Sequence, residues 1–480
     1  PGHAPLLSNI THCCAARDPC QERAAAEQPP GCATIPDRKN RSGNRRDAQG
    51  MNGIEQTTVC VMGLGYVGLP AAGILAGKGY RVIGVDTARG VVRKVNAGAP
   101  HIHEPGLREI IRDCVSRGRL TAHEKPRPAD IFIIAVPTPI TRDRAPDISF
   151  VENAVRMMAP RLRPGNLVII ESTCPVGATE HAADMLRALR PDLPIPEYTK
   201  QTVPRPNGCL SLCYCPERVL PGNVFAEFVN NNRLAGGMDP QSAERATRFY
   251  RTVVRGRIFS TDCRTAEMAK LAENSFRDIN IAFANELSLL ARRHGVDAHE
   301  VIALANQHPR VNILNPGPGV GGHCIPVDPW FLVHGAGGGA RLIQAARERN
   351  DSMPGICARL IADACRGISN PSVALLGLAY KAGTGDLRES PAVKTALLLS
   401  RNKKFTILAV EPFVKSRPAA LAGLETVQFV KNPEAAVKKA HAVAVLTPHP
   451  QFLDIPRPLL ESKHAVLDFT GLFKPAPAAE

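Results

Sequence analysis

The chain has 480 residues, of which 44% are hydrophobic and 21% charged, a balance that excludes a small module, a disordered chain and a fibrous protein. Lys and Arg number 59 against 44 Asp and Glu, a net charge of +15, but the basic residues are dispersed and aromatics make up only 5%, so no nucleic-acid partner is expected. No stretch reaches the roughly 18 apolar residues of a membrane span; the longest candidate, Ile131 to Ile140, is broken by Pro137 and Pro139.

The first fifty residues read as Pro, Ala, Arg and Gln without periodicity and hold Cys13, Cys14, Cys20 and Cys32. They lack an apolar segment behind a basic one, so residues 1–55 are expected to be a disordered leader rather than a secretory signal or a domain. Most of the other ten of the 14 cysteines fall singly in core-like segments, as thiols do in a reducing compartment, which predicts a cytoplasmic protein. Cys209, Cys213 and Cys215 cluster, but no Cys-x-x-Cys pair or nearby His supplies a fourth ligand, and no metal site is expected.

A short buried strand is predicted over 57–62, followed by Gly63-Leu64-Gly65-Tyr66-Val67-Gly68, an Ala- and Leu-rich helix, and a second strand over 81–85 that ends at Asp86. Strand, glycine turn, helix, strand and acid in this order form a βαβ unit with the dinucleotide fingerprint in its required context. Gly63 permits the tight turn, Gly65 lets backbone approach a pyrophosphate, Gly68 lets helix pack on strand, and Asp86 would accept from a ribose hydroxyl. An ordinary glycine-rich βα turn is the plain alternative. A carboxylate at Asp86 repels a 2′-phosphate, so NAD is preferred to NADP, with Arg89 three residues on as the one feature against it.

Further strands are predicted over 131–136, ending in Pro137-Thr138-Pro139, and over 167–171, ending in Ser172-Thr173. Their loops should border the nicotinamide half of the site, because ligands of open parallel sheets sit beyond the carboxyl ends of the strands. Four prolines between Pro194 and Leu212 predict a loop. Between Arg257 and His294 there is no Gly or Pro, and Met268, Leu271, Leu287, Leu289 and Leu290 keep helical spacing, so one long connecting helix is predicted. Strands over 373–378, 405–410, 442–446 and 465–468 predict a second α/β sheet. Its first turn, Gly377 to Asp386, lacks the three-glycine spacing and is expected to bind something other than a dinucleotide. The fold class is α/β, with two doubly wound Rossmann-like domains joined by a long central helix.

Four segments hold polar residues whose types make sense together: Cys215-Pro-Glu-Arg-Val-Leu-Pro-Gly222, the pair Lys270 and Asn274, the turn Gly319-Val-Gly-Gly-His-Cys-Ile-Pro-Val-Asp328, and Lys381 to Ser390. Lys270 and Asn274 are four apart and share a helix face, where they could address one oxygen atom or simply face water. Cys324 alone would read as an inert thiol, but it follows a Gly-Gly pair that lets backbone approach a ligand.

With Ser172-Thr-Cys-Pro-Val-Gly177, these motifs stand in an order that resembles the UDP-glucose/GDP-mannose dehydrogenase family, over about Val59 to Asp468. The resemblance implies two successive NAD-dependent oxidations that convert a sugar C6 alcohol to a carboxylate while the nucleotide stays attached. It implies an NAD-binding domain over 56–255, a helical linker and dimerisation domain with the cysteine turn over 256–350, and a UDP-sugar-binding domain over 351–480. Tyr214 to Gly222, Ala266 to Glu286 and His308-Pro-Arg-Val-Asn312 point within the family to a UDP-linked N-acetylhexosamine, the manno isomer, used for a surface polysaccharide. A UDP-N-acetylglucosamine or UDP-glucose 6-dehydrogenase is the rival within the class, since the motifs do not fix the C2 epimer, and a non-catalytic nucleotide-sugar sensor is the rival from another class. The net positive charge suits such a diphosphate-bearing substrate and cofactor.

The resemblance makes Cys324 the nucleophile that carries a thiohemiacetal and then a thioester. Lys270 would stabilise the C6 oxyanion with Asn274, Glu217 would be the base in thioester hydrolysis, and Asp328 and Thr173 would position water or shuttle a proton. Gly63, Gly65, Tyr66, Val67, Gly68, Asp86, Thr138, Thr173 and Arg388 would face the cofactor. Arg218, Val219, Leu220, Gly321 and Lys381 would meet the nucleotide-sugar, and Arg310 would reach the substrate of a neighbouring subunit, implying a homodimer paired through the long helix, or a higher homo-oligomer. Some relatives carry an acidic-x-Arg element in the last strand; this chain has Asp468-Phe469-Thr470 there.

Overall fold

The computed structural model describes residues 51–220 and 222–473, which hold two sheets. The leader expected over 1–55 falls outside them, except that Met51–Ile54 forms a helical turn whose Ile54 packs on the first core. The first sheet comprises β1 (Thr58–Met62), β2 (Arg81–Val85), β3 (Leu120–His123), β4 (Ile131–Ile134), β5 (Leu167–Ile170), β6 (Ser211–Tyr214), β7 (Arg233–Gly237) and β8 (Ile258–Asp262). Its order is β3-β2-β1-β4-β5-β6-β7-β8, with every pair parallel except β6 and β7.

The central strands are short uninterrupted apolar runs because both faces are covered. Val59, Val61, Ile131, Ile133, Leu167 and Ile169 pack with Leu69, Ala72 and Leu75 of the helix Gly68–Gly77. The alternate residues Cys60, Met62, Phe132, Ile134, Val168 and Ile170 pack with Val151, Ala154, Ala182 and Leu186 on the other side. A period of two thus feeds two cores from one run of residues.

The second sheet comprises β9 (Ser372–Leu376), β10 (Thr406–Val410), β11 (Val427–Phe429), β12 (Ala442–Val445) and β13 (Ala465–Asp468), all parallel, in the order β11-β10-β9-β12-β13. The strand order reverses between β1 and β4 and again between β9 and β12, which places a crevice at the carboxyl ends of each sheet.

The long helix spans Cys263–Arg293, not 258–293. Residues 258–262 instead form β8 beside β7, and Asp262 caps the helix by accepting from the Thr265 backbone N–H at 3.0 Å and its hydroxyl at 2.7 Å. The absence of Gly and Pro permits a helix but does not start one; the capping carboxylate does. The 194–212 segment is irregular up to its end, where Ser211 begins β6. The helix Arg341–Ala364 packs along the long helix, joined by Arg347 to Asp278 at 2.5 Å and by Asn285 to Asn350 at 2.9 Å. Among the described residues, no helix is long and apolar enough to cross a membrane.

Candidate active site

The turn after β1 has the shape of a dinucleotide cradle. Gly63 has φ +93°, and a Cβ there would lie 2.5 Å from the Ala135 carbonyl oxygen, while one on Gly68 would lie 1.9 Å from the Gly63 carbonyl oxygen. At Gly65, by contrast, a Cβ would meet nothing within 4 Å, so this is the open side on which a pyrophosphate can approach. The half-buried Asp86 carboxylate is fixed at the tip of β2 by the N–H groups of Leu64 (3.1 Å) and Ala88 (2.9 Å). Arg89 donates instead to Glu124 at 3.2 Å, so the arginine that counted against NAD has a partner other than Asp86. Tyr66 is exposed, and the Arg388 guanidinium from the loop after β9 lies 4.5 Å above its ring centroid. Val67 immediately precedes the helix Gly68–Gly77.

The loops after β4 and β5 are laced together. The Ser172 hydroxyl donates to the Val136 carbonyl at 2.7 Å and accepts from its N–H at 2.9 Å, which sets Thr138 and Thr173, both half-buried, in adjoining loops.

One face of the long helix carries the buried polar series Glu267, Lys270, Asn274 and Asp278, the spacing of a single stripe. Glu267 accepts from the N–H groups of Gly177 (2.7 Å) and Thr179 (2.9 Å) and from the Thr179 hydroxyl (2.6 Å). It therefore caps the helix Ala178–Leu189 and ties the Thr173 loop to the stripe. Burial pushes its carboxyl up to about 7 although these donors pull the other way. Lys270 Nζ donates to the Glu217 carbonyl oxygen at 2.9 Å, and Asn274 Nδ2 donates to Asp328 Oδ2 at 2.5 Å. Asp328 begins the helix Asp328–Gly335, and its N–H donates to the Cys324 carbonyl oxygen at 2.8 Å. Burial raises the Asp328 carboxyl to about 6, against Lys270 and Asn274.

The structure thus brings Cys324, Asp328, Asn274 and Lys270 together. Cys324 keeps exposed surface, but the protein around it and the Asp328 carboxylate push its thiol up, while Lys270 and Arg388 act in the opposite sense. The glycine turn before it threads a narrow gap. A Cβ on Gly321 would lie 2.7 Å from Tyr380 Cβ and 2.9 Å from the Glu389 carbonyl oxygen, and one on Gly319 would lie 2.9 Å from the Asn350 carbonyl oxygen. The cysteine turn is therefore pressed against the loop that carries Lys381, half-buried near the Tyr380 ring, and Arg388.

Glu217 presents its backbone and its side chain to different partners. Its backbone carbonyl meets Lys270, but its buried carboxylate accepts from Arg233 at 2.6 Å and from the Arg218 N–H at 2.7 Å. Arg233 also donates to the buried Glu171 at 2.9 Å, Tyr250 donates to Glu171 at 2.6 Å, and the guanidinium lies 4.5 Å and 4.4 Å from the ring centroids of Phe228 and Tyr250. Arg218 pairs with Glu273 of the long helix; Val219 is half-buried against the first core and Leu220 is exposed. Arg310 is exposed in the turn after the helix Ala298–Ala305, its N–H donating to His308 Nδ1 at 3.4 Å.

Sequence reasoning missed Glu267, Glu171, Arg233 and Tyr250. Glu267 was within reach, because it lies one helical turn before Lys270. Arg233 had no local signal, since its partners come from two other loops.

Three profiles of one family match in succession. The NAD binding domain of the UDP-glucose/GDP-mannose dehydrogenase family covers residues 57–254, the central domain 264–352 and the UDP binding domain 374–475. The chain belongs to the UDP-glucose/GDP-mannose dehydrogenase family. As a member of the UDP-glucose/GDP-mannose dehydrogenase family it is an NAD-dependent UDP-sugar dehydrogenase, and the glycine cradle with Asp86 fits that cofactor. It is 48% identical over 420 residues, covering 88% of this chain and 97% of the relative, to an NDP-N-acetyl-D-galactosaminuronic acid dehydrogenase of Ralstonia nicotianae. A UDP-N-acetyl-D-mannosamine dehydrogenase of Yersinia pestis is 45% identical, with 87% and 99% covered. The solved UDP-D-ManNAc dehydrogenase from Pyrococcus horikoshii superposes with a TM-score of 0.76 at 38% identity, with 88% and 97% covered.

Proposed function

We propose that the enzyme oxidises C6 of UDP-N-acetyl-D-mannosamine through four electrons to the uronate, using two NAD per sugar. The observation that carries this reading is the meeting of Cys324, Asp328, Asn274 and Lys270 beneath the loop of Lys381 and Arg388. The names of the Yersinia and Pyrococcus relatives favour the N-acetylated manno sugar. The Ralstonia relative favours a second reading, a galacto-configured N-acetylhexosamine on the same machinery.

Bound NAD supplies a hydride acceptor for each of the two oxidations. The Lys270 ammonium, buried and held by the Glu217 carbonyl, stabilises negative charge on the C6 oxygen, with Asn274 beside it. After the first oxidation, Cys324 Sγ adds to the aldehyde carbon, its proton leaves and the C6 oxygen becomes the hydroxyl of a thiohemiacetal. Loss of a hydride and a proton from that group leaves a thioester on Cys324. Water attacks the thioester carbon, Glu217 takes its proton, and the C–S bond breaks to release carboxylate and return the thiol. Asp328 and Thr173 order that water. Lys381 would meet the diphosphate, and Arg388, stacked on Tyr66, would face the cofactor.

Phe276, Phe283 and Leu290 on the long helix are seven residues apart and 66%, 54% and 44% exposed. This apolar stripe supports a homodimer paired through the long helix, with Arg310 directed to the neighbouring subunit's substrate. The reading places the enzyme in the cytoplasm, where thiols such as Cys324 stay reduced.

A panel of UDP-sugars incubated with NAD tests the proposal through NADH absorbance. Two NADH per UDP-N-acetyl-D-mannosamine consumed are expected. A faster reaction with the galacto substrate selects the second reading, one NADH per sugar with free aldehyde overturns the covalent route, and no turnover by folded protein replaces the enzyme with a nucleotide-sugar sensor.

A further inference from the structure

The second sheet repeats the doubly wound plan, yet its first turn is filled from inside. In the first sheet, the Asp86 carboxylate at the tip of β2 takes one amide of the β1 turn, that of Leu64. At the corresponding tip of β10 stands Glu411, longer by one methylene, and its Oε2 takes two successive amides of the β9 turn, Leu378 and Ala379, each at 2.8 Å. Thr447 closes the remaining space. A Cβ on Gly377, whose φ is +89°, would lie 2.4 Å from Thr447 Cβ, and the Thr447 hydroxyl donates to the Ala379 carbonyl at 2.7 Å. The place where a dinucleotide's phosphates would meet turn amides is occupied by the protein's own carboxylate.

His449 completes this plug. It is fully buried, Nε2 lies 3.1 Å from Glu411 Oε2, and the Gly383 N–H approaches Nδ1 at 3.3 Å. With Nδ1 accepting, Nε2 carries the proton and donates to Glu411. The rings of Phe413 and Phe452 enclose the imidazole at 5.1 Å and 5.6 Å. Burial alone would raise the Glu411 carboxyl, but His449 and the two amides outweigh it and hold the group below its ordinary value.

Leu378, Ala379 and Gly383 bracket Lys381. One buried hydrogen-bonded unit therefore grips the chain on both sides of the residue assigned to the nucleotide's diphosphate, while Arg388 is held separately by Asp386 at 2.8 Å. The geometry points to Glu411 and His449 as a positioning pair that sets the Lys381 segment for the UDP group, an inference that rests on the reading of Lys381 given above. The pair touches no substrate; it removes conformational freedom from the segment that does.

The test uses UDP itself as probe, the part common to the candidate substrates, titrated calorimetrically against the full chain, with NADH titrated in parallel. Glu411→Gln and His449→Asn should each weaken UDP binding about tenfold and leave NADH binding within about twofold. Lys381→Met should weaken UDP binding as well, and adding His449→Asn to it should cost almost nothing more, because the grip then holds no ligand contact. Glu411→Gln is nearly isosteric and supplies the same reading should His449→Asn unfold. If Lys381→Met leaves UDP binding unchanged, the assignment of Lys381 fails and the inference with it. If Lys381→Met weakens binding but His449→Asn adds its full increment in both backgrounds, or moves UDP and NADH alike, Lys381 stands and the positioning role is overturned.

Discussion

The Arg388 guanidinium lies over the Tyr66 ring, 4.5 Å from its centroid, so a side chain of the second Rossmann-like unit covers the glycine turn of the first. Three bonds to the Asp386 carboxylate, from the Arg388 backbone N–H at 3.1 Å, Nε at 2.8 Å and Nη2 at 2.5 Å, hold the arginine in that pose. An exposed cation on an aromatic face contributes about 0.5–1 kcal/mol. Arg388→Met should therefore raise the KM for NAD by roughly two- to fivefold and change the KM for the UDP-sugar far less. Equal changes in both constants would show that Arg388 serves closure of the cleft as a whole.

Asp86 is fixed by two backbone amides, which preorganises its carboxylate for the ribose diol proposed as its partner. Asp86→Ala should weaken NAD use by roughly 1–2 kcal/mol and narrow the preference for NAD over NADP, measured as the ratio of kcat/KM values. An unchanged preference would mean that another group reads the ribose.

Cys324 and Glu217 act at different stages of the proposed reaction, and two substitutions separate them. Cys324→Ser should nearly abolish turnover because no thioester can form. Glu217→Gln should allow both oxidations but starve hydrolysis, giving a burst of up to two NADH per active site and added mass on the peptide that carries Cys324. The Arg233 contact makes a rival outcome concrete: a uniformly slowed enzyme with unmodified Cys324 would assign the Glu217 carboxylate to holding Arg233 and Glu171.

Glu267 links stability to pH. Its carboxyl lies at about 7 in the fold, above the ordinary value of 4.5, so the native state binds the extra proton between these limits and its stability advantage is lost as pH rises through them. The stability of the native enzyme relative to Glu267→Gln should accordingly fall between pH 5 and 8, by up to about 3 kcal/mol. Urea denaturation of both proteins across that range reads the difference directly, and a flat line would show Glu267 ionised throughout.

The sequence by itself determined what repeats or caps locally. A four-residue apolar run, three glycines at fixed offsets and an acid after the next strand specify a βαβ unit with little help from elsewhere, and β2 and β13 lie where the pattern put them. Lys270 and Asn274 share a buried stripe because helical periodicity dictates it. Periodicity, however, records which face is buried and not what meets it. That Lys270 turns inward rather than to water is fixed by the Glu217 carbonyl, 53 residues away. Likewise β8 took the first turns expected of the long helix because β7 offered it a parallel partner. Only the tertiary structure joined Arg233 to Glu171, 62 residues apart, and Glu411 to His449, 38 apart. A buried charge is tolerable only with its partner, and that partner is chosen by the crossing of strands and loops rather than by spacing along the chain.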